Sequence, residues 1–424
     1  MSLFEPKIIY LDNNLVLTGE NTLIFLTLDE FNIKKTELLE YVTNSFMNKI
    51  DFDSQFKADS DTLSVSIIPT TDCNLNCIYC YSDGGCEKIN LNFDFVKLFI
   101  DMLISKNQNC KFINLYFAGG GEPLLNFNLI KQIVDYTINY NLIPHIRIVT
   151  NGILVPLYID WLKANNVYLR ISYDGSAQNI NRPGNNFDSK KMVENTLQLL
   201  SDSYPLTLLS VQMTITKSNV QTIQNDVENI IKQYKINTIK IEPVHPSVST
   251  KSKLIDLPSV EEFSENILKT LDNLISKNIN ARIDLSYVSA PSTSYFCSVR
   301  NKAVITPFKV ITPCVEIINS AVLKNLILWD GKNNLDFNNI SKIQHTFLYD
   351  YHPKSDVECA NCNLVHLCKG TCPMRRILNH NKKYNFNCEV SKVLIPEFLI
   401  RVCKNEKYMN LLFGDNFKEE NKCD

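Results

Sequence analysis

No uninterrupted apolar run in this 424-residue chain is long enough to span a bilayer, so a membrane-spanning helix is not expected. There is no excess of either charge: 43 Lys and Arg stand against 45 Asp and Glu, a formal net charge of -2. That balance gives no basic footprint for nucleic acid, although a local basic groove stays possible. The N-terminus lacks a basic segment followed by an apolar core, so no secretory signal is read and a cytoplasmic location is expected. In such a chain a disulfide framework is not expected, which leaves 14 cysteines to explain by metal or redox chemistry. The length suffices for two or three domains.

What is present centres on Cys73-Asn74-Leu75-Asn76-Cys77-Ile78-Tyr79-Cys80. Three thiolates at C-x3-C-x2-C spacing can hold three corners of a four-iron cluster. No fourth cysteine falls at the next regular step, so one iron is left open. Sulfur ligands select iron–sulfur clusters, zinc or Cu(I). Structural zinc takes four closed ligands, so three tight cysteines point to a chemically used position, with a zinc knuckle as the alternative. Tyr79 places an aromatic ring beside the last cysteine.

This octapeptide resembles the cluster motif of radical S-adenosylmethionine (radical SAM) enzymes. From Leu63 on, strand and helix patterns alternate. Strands are expected at Leu63–Ile68, Phe112–Phe117, His145–Val149, Val167–Ile171, Thr207–Ile215 and Thr238–Ile241. Helices are expected at Phe93–Ser105, Leu129–Tyr140, Lys191–Ser201, Thr222–Tyr234 and Val260–Lys277. Near-continuous apolar strands with helical crossovers read as a parallel α/β sheet. The resemblance makes it a partial (β/α)6 barrel with the cysteine motif at the C-terminal end of its first strand.

The second strand ends in Ala118-Gly119-Gly120-Gly121-Glu122-Pro123, which resembles the family's GGEP motif. Consecutive glycines let backbone approach a ligand. The resemblance gives Gly120, Gly121, Glu122 and Pro123 the methionine amino group of the cofactor, the carboxylate accepting from the cationic amine. Thr150-Asn151-Gly152 and Ser172-Tyr173-Asp174-Gly175 close the next two strands, where relatives carry polar cofactor contacts. Ser172, Asp174, Arg182 and Tyr79 are the further cofactor candidates, and Glu242 lies where adenosine is expected. The other reading of these polar residues is plain strand-end capping.

Cys297 and Cys314 bracket an expected hairpin over Val304–Ile311, followed by Cys359-x2-Cys362-x5-Cys368-x3-Cys372 and Cys388. These seven cysteines resemble the SPASM extension with two auxiliary clusters, a zinc ribbon being the alternative. Carried across, Cys359, Cys362, Cys368 and Cys388 hold an outer cluster, and Cys297, Cys314 and Cys372 an inner one. Lys309 stands where relatives often have the turn glycine, so the turn is expected to be built differently. Ala303 stands where some have a further cysteine, which would leave the inner cluster an open iron. Cys86, Cys110, Cys403 and Cys423 are read as incidental thiols, Cys86 being close in sequence to the first motif.

The resulting domains are residues 1–60, a small strand and helix unit with a helix over Thr36–Met47, read as peptide recognition or as a packing extension; 61–285, the radical SAM domain; 286–394, the SPASM domain; and 395–424, a C-terminal helix (Ile395–Leu412) and tail. The resemblance implies S-adenosylmethionine and a four-iron cluster as cofactors, a 5′-deoxyadenosyl radical as the agent, and an electron donor such as flavodoxin or ferredoxin. The activity expected is oxidative modification of a ribosomally made precursor peptide, by thioether or other crosslink. The alternatives are an anaerobic sulfatase maturase, whose usual aspartate after the second SPASM cysteine is here Val315 followed by Glu316, and a non-catalytic metal scaffold.

Overall fold

Alternate apolar residues in short segments rich in Ile, Val, Leu and Phe build the central sheet of the computed structural model. The structure describes residues 5–12, 14–19, 22–47, 61–245, 255–291, 303–318, 327–329, 331, 353–372, 374 and 386–414. The N-terminal strands are β1 (Lys7–Leu11), β2 (Asn14–Gly19) and β3 (Thr22–Thr27), followed by α1 (Leu28–Met47). Then come β4 (Thr62–Ile67), α2 (Phe93–Lys106), β5 (Phe112–Phe117), α3 (Phe127–Asn139), β6 (Ile143–Thr150) and α4 (Val155–Ala164). The run continues through β7 (Tyr168–Ser172), α5 (Gln178–Asn181), α6 (Ser189–Ser203), β8 (Leu209–Ile215), α7 (Ile223–Tyr234), β9 (Thr238–Pro243), α8 (Val260–Ser276) and β10 (Arg282–Leu285).

β4 to β9 lie side by side in sequence order and all pair in parallel. This is the six-unit α/β arrangement expected, and among the described residues the sheet stays open rather than closing into a barrel. The sheet extends past the expected six on both sides. β10 pairs in parallel with β9. On the other edge β11 (Val304–Ile305) pairs in parallel with β4 and in antiparallel with β12 (Ile311–Thr312). The hairpin turn carries Lys309 at φ +56°, so lysine itself adopts the left-handed conformation for which glycine is favoured.

The crossovers are fixed locally. Asn92 caps α2 by accepting from Phe95 N at 3.2 Å, and Asp188 caps α6 by accepting from Lys191 N at 2.9 Å. Ser259 and Glu262 form a reciprocal capping box on α8. Each helix buries one stripe, as with Phe95, Val96, Phe99 and Ile100 of α2.

The N-terminal sheet is buried on both faces. Leu15, Leu17, Ile24 and Leu26 pack with Phe31, Leu38 and Val42 of α1, whereas Ile9, Leu11, Val16 and Leu23 join the main core. Lys7 Nζ donates to Ala360 O at 2.9 Å, and Thr18 Oγ1 lies 2.9 Å from His366 Nδ1. The first sheet is thereby tied to the cysteine-rich C-terminal segment. The C-terminal helix expected over Ile395–Leu412 is two helices, Phe386–Lys404 and Lys407–Phe413, with Pro396 inside the first. No helix among the described residues is long and apolar enough to cross a membrane.

Candidate functional site

The cysteine loop leaves β4 at its C-terminal end and is held from two sides. Thr71 N donates to Ile89 O at 3.0 Å and Gly85 N to Thr71 O at 2.8 Å, closing the loop on itself. Asn76 N and Ile78 N donate to Pro183 O and Asn181 O at 2.9 and 3.0 Å, pinning it to the segment after β7. Cys80 Sγ accepts from Gly84 N at 3.2 Å and lies 3.3 Å from Ser82 Oγ. Burial pushes the Cys73 thiol up to about 12 and that of Cys77 up to about 11, the latter opposed by Arg182. Among the described residues no three His, Cys, Asp or Glu side chains converge on a place for a single metal ion. Cys73, Cys77 and Cys80 instead stand along one wall of a cavity of about 390 Å³. Soft donors on a cavity wall, with an N–H directed at one sulfur, fit an iron–sulfur cluster with an open corner.

The glycine turn after β5 also meets a packing need within the protein. A Cβ at Gly121 would lie 1.8 Å from Asp72 O, and one at Gly120, which has φ +72°, would lie 2.6 Å from Thr70 O. The missing side chains let this turn seat against the residues leading into Cys73, where Gly121 N and Glu122 N donate to Thr70 O and Asp72 O, each at 2.8 Å. Glu122 is 2 % exposed, and its carboxylate already accepts from Leu124 N (3.2 Å), Thr150 Oγ1 (2.6 Å) and Asn151 N (2.8 Å). Burial raises its pKa against those donors. Glu122 therefore clamps the β5 and β6 strand ends together, and most of its acceptor capacity is used within the protein. Pro123 is buried in the first turn of a 3-10 helix that follows. Gly120 and Gly121 line the cavity alongside Glu122.

Asp174 also has a role other than direct contact. It is fully buried and pairs with Arg182 at 3.2 Å, accepts from the Tyr79 hydroxyl, and accepts from Thr214 N at 2.9 Å. Burial opposes the Arg182 charge, yet Asp174 and its neighbours push the guanidinium pKa up, so it stays charged. Arg182 lies 5.2 Å from the centre of the Tyr79 ring. Tyr79, Arg182 and Ser172 border the cavity, and Asp174 holds the first two in place.

The strands are not apolar on both faces. Arg170 and Ser172, Gln212 and Thr214, and Lys240 and Glu242 alternate along β7, β8 and β9 and line the cavity. Lys240 pairs with Glu242 at 3.0 Å. The period-2 polar pattern in Arg170-Ile171-Ser172, Gln212-Met213-Thr214 and Lys240-Ile241-Glu242 was legible signal for this inner face. Other wall residues come from afar. Glu316 Oε1 lies 3.3 Å from His245 Nε2, and both border the cavity with Tyr81, Val315 and Cys372. Burial raises the Tyr81 phenol well above its ordinary value, with Glu316, Cys80, Tyr116 and Cys314 adding to it.

Of the C-terminal cysteines, Cys368 is buried and its thiol is pushed up to about 12, first by burial and then by Cys362, Cys359 and Cys388, against the N–H of Gly370. These four thiols thus share one neighbourhood. Cys372 reaches the main cavity, and Cys314 lies close enough to Tyr81 to affect it. Between the two groups Lys369, Gly370 and Thr371 all have positive φ, at 54°, 70° and 62°, which for a β-branched threonine is uncommon. Cys297 lies outside the described residues, as does Cys423. Cys86 and Cys403 are exposed and Cys110 is half-buried.

Comparison with known proteins agrees with this geometry. The model of the Radical SAM superfamily matches residues 67–239. An uncharacterized protein of Methanocaldococcus jannaschii is 34% identical over 208 residues, spanning 47% of this chain and 68% of its own. The radical SAM cyclopropyl synthase TigE of Paramaledivibacter caminithermalis is 23% identical over 354 residues, spanning 77% and 70%. Among solved structures, anSMEcpe with bound AdoMet matches with a TM-score of 0.63 at 18% identity, covering 82% of this chain and 99% of that one. SuiB of Streptococcus suis bound to S-adenosylmethionine matches with a TM-score of 0.54 at 12% identity, covering 90% and 97%. At such identities the structures establish the shared fold. The matched span begins at the last residue of β4, takes in the cysteine loop and the glycine turn, and ends inside β9; with a relative 34% identical and covered over 68% of its length beside it, the chain belongs to the radical SAM superfamily.

Proposed function

We propose that this radical SAM enzyme oxidatively modifies a precursor peptide, forming a thioether or another side-chain crosslink. The observation that carries the reading is the shared cavity, with Cys73, Cys77 and Cys80 on one side and Cys372, Val315 and Glu316 on another. A substrate held there lies between the radical-generating loop and the cysteine-rich C-terminal segment. Among the structural neighbours is SuiB bound to the precursor peptide SuiA, which supports a peptide of that class.

The cluster and S-adenosylmethionine, when bound, supply the one-electron chemistry that removes an unactivated hydrogen. Cys73, Cys77 and Cys80 would hold that cluster, and the Gly119–Gly121 turn, Ser172, Tyr79 and Arg182 would surround the cofactor. Glu316 Oε1, next to His245 Nε2, is the carboxylate placed to take up the proton that an oxidation releases. The half-buried rings of Tyr81 and Tyr79 cover part of this wall and limit the water that reaches it. Cys359, Cys362, Cys368 and Cys388 are assigned to an outer auxiliary cluster, and Cys297, Cys314 and Cys372 to an inner one. Residues 1–60 are assigned to peptide recognition, 61–285 to the radical SAM domain, 286–394 to the SPASM domain and 395–424 to the terminal helices and tail. A low-potential flavodoxin or ferredoxin is the electron donor in this reading.

The test is turnover of the anaerobically reconstituted enzyme with short peptides encoded beside its gene, followed by mass spectrometry. A crosslink removes two hydrogens from the peptide. An unchanged mass with an inverted residue would replace crosslinking by epimerisation. A second reading, the sulfatase maturase, is favoured by one feature, the Glu316 carboxylate at the cavity beside Val315. It predicts a cysteine that exchanges its sulfur for a carbonyl oxygen.

A further inference from the structure

We propose that Arg170 anchors a substrate carboxylate, so that the peptide presents an acidic residue to the floor of the cavity. The inference rests on the peptide reading above. Arg170 and Ser172 leave β7 on the same face, about 6.6 Å apart along the strand. Ser172 is the last residue of β7, at the strand's C-terminal end, and Arg170 lies two residues further into the sheet; both line the cavity. The sheet register sets Arg170 opposite Ser210, and Ser172 opposite Gln212, which in turn faces Lys240.

The charges of the cavity wall are otherwise matched. Arg182 has Asp174 at 3.2 Å and Lys240 has Glu242 at 3.0 Å, and Glu316 has a hydrogen-bonding neighbour in His245 Nε2 at 3.3 Å. Glu122 is taken up by three protein donors. Arg170 is different. Among the described residues it makes no ion pair, and its hydrogen-bond partner is Ser210 Oγ at 3.3 Å. It is half-buried and borders the cavity. A guanidinium carries five N–H donors in a planar fork suited to a bidentate carboxylate. Lys240 stands close enough to feel the Arg170 charge, but it has its own carboxylates, Glu242 at 3.0 Å and Asp284 opposite it on β10, whereas Arg170 has none in ion-pair range among the described residues. A half-desolvated, unmatched cation on a cavity floor favours an anion over a neutral group.

The test uses the anaerobically reconstituted full chain and a C-terminally amidated peptide library with a fixed cysteine and randomised neighbours. Mass spectrometry of the modified fraction is expected to show Asp and Glu enriched at one register from the cysteine. Arg170→Gln should lower that enrichment about tenfold or more, and Arg170→Lys should restore part of it. Modified peptides without acidic enrichment overturn the anchor and leave the peptide reading standing. No modified peptide overturns both. A second measurement needs no turnover: saturation-transfer NMR with N-acetyl-aspartate amide and N-acetyl-asparagine amide as probes. Saturation of the aspartate probe alone, lost in Arg170→Gln, is expected, and equal saturation of both probes overturns the anchor. Equilibrium dialysis with S-adenosylmethionine guards against a cofactor role. A tenfold loss of its affinity in Arg170→Gln assigns the guanidinium to the cofactor's own carboxylate and overturns the proposal.

Discussion

Asp174 illustrates how a side chain found in the sequence acquires its role only in three dimensions. Ser172-Tyr173-Asp174-Gly175 marks a strand end, and a carboxylate there reads as a ligand contact. Nothing local says that it turns inward to Arg182, Tyr79 and Thr214. Those partners come from three separate segments, which a linear pattern does not join. Replacing Asp174 with Asn leaves Arg182 buried without its counter-ion, and breaking such a pair costs about 3–5 kcal/mol. Urea unfolding of Asp174→Asn should show a loss of that order, and an unchanged midpoint would remove the clamp from the account. Glu122 gives the same lesson, since the glycines before it were legible but the backbone they approach, at Thr70 and Asp72, was not. Lys309 is the opposite case: a turn built differently was expected without glycine, and instead the lysine itself takes the positive φ.

Elements were most legible where period and caps agree. β5 has the bounds its alternation gives, and α8 runs from its Ser259 cap to Ser276, within a residue of expectation. α1 begins eight residues before the expected Thr36, because Thr27 and Glu30 form a capping box. The T-x-x-E signal was in the sequence, but Asp29, Glu30 and Asn32 break the apolar period that was followed instead. β10 is four residues in a polar context, and pairing with β9 decides it. α4 exposes Leu157 and carries Pro156, so its amphipathic stripe is weak. Between α7 and α8, Glu228 binds Lys232 and takes Lys277 Nζ at 2.7 Å and Asn273 Nδ2 at 2.9 Å. Those hydrogen bonds lower its pKa to about 2. In the unfolded chain the same carboxylate protonates near 4.5, so the unfolded state binds more protons between the two values. The contribution is therefore full above about 4.5 and lost as pH falls toward 2. Denaturation midpoints of the natural chain and Glu228→Gln should converge over that window, and a constant gap would contradict the link.

At the scale of the molecule, the first sheet and the C-terminal cysteines are more than three hundred residues apart in sequence and meet at two buried hydrogen bonds. Hydrophobic pattern identified the N-terminal strands but not their second buried face, because both faces are apolar and only docking separates them. Thr18→Val removes the hydroxyl beside His366 Nδ1, which should cost about 1–3 kcal/mol in thermal unfolding of the metal-free chain. A change within a few tenths of a kcal/mol would mean that the two segments are not coupled through this contact. The parallel order of β4 to β9 followed from the sequence, since strand and helix alternate there. The hairpin of β11 and β12 was legible as well, but its pairing with β4 and the addition of β10 were not, because those strands are two to four residues long. All of this architecture serves to set three thiols along the wall of one cavity. The most direct measurement is release of 5′-deoxyadenosine from S-adenosylmethionine by the anaerobically reconstituted, reduced chain. The natural sequence should release it and Cys77→Ala should release none, whereas cleavage by Cys77→Ala at the unaltered rate would contradict the account.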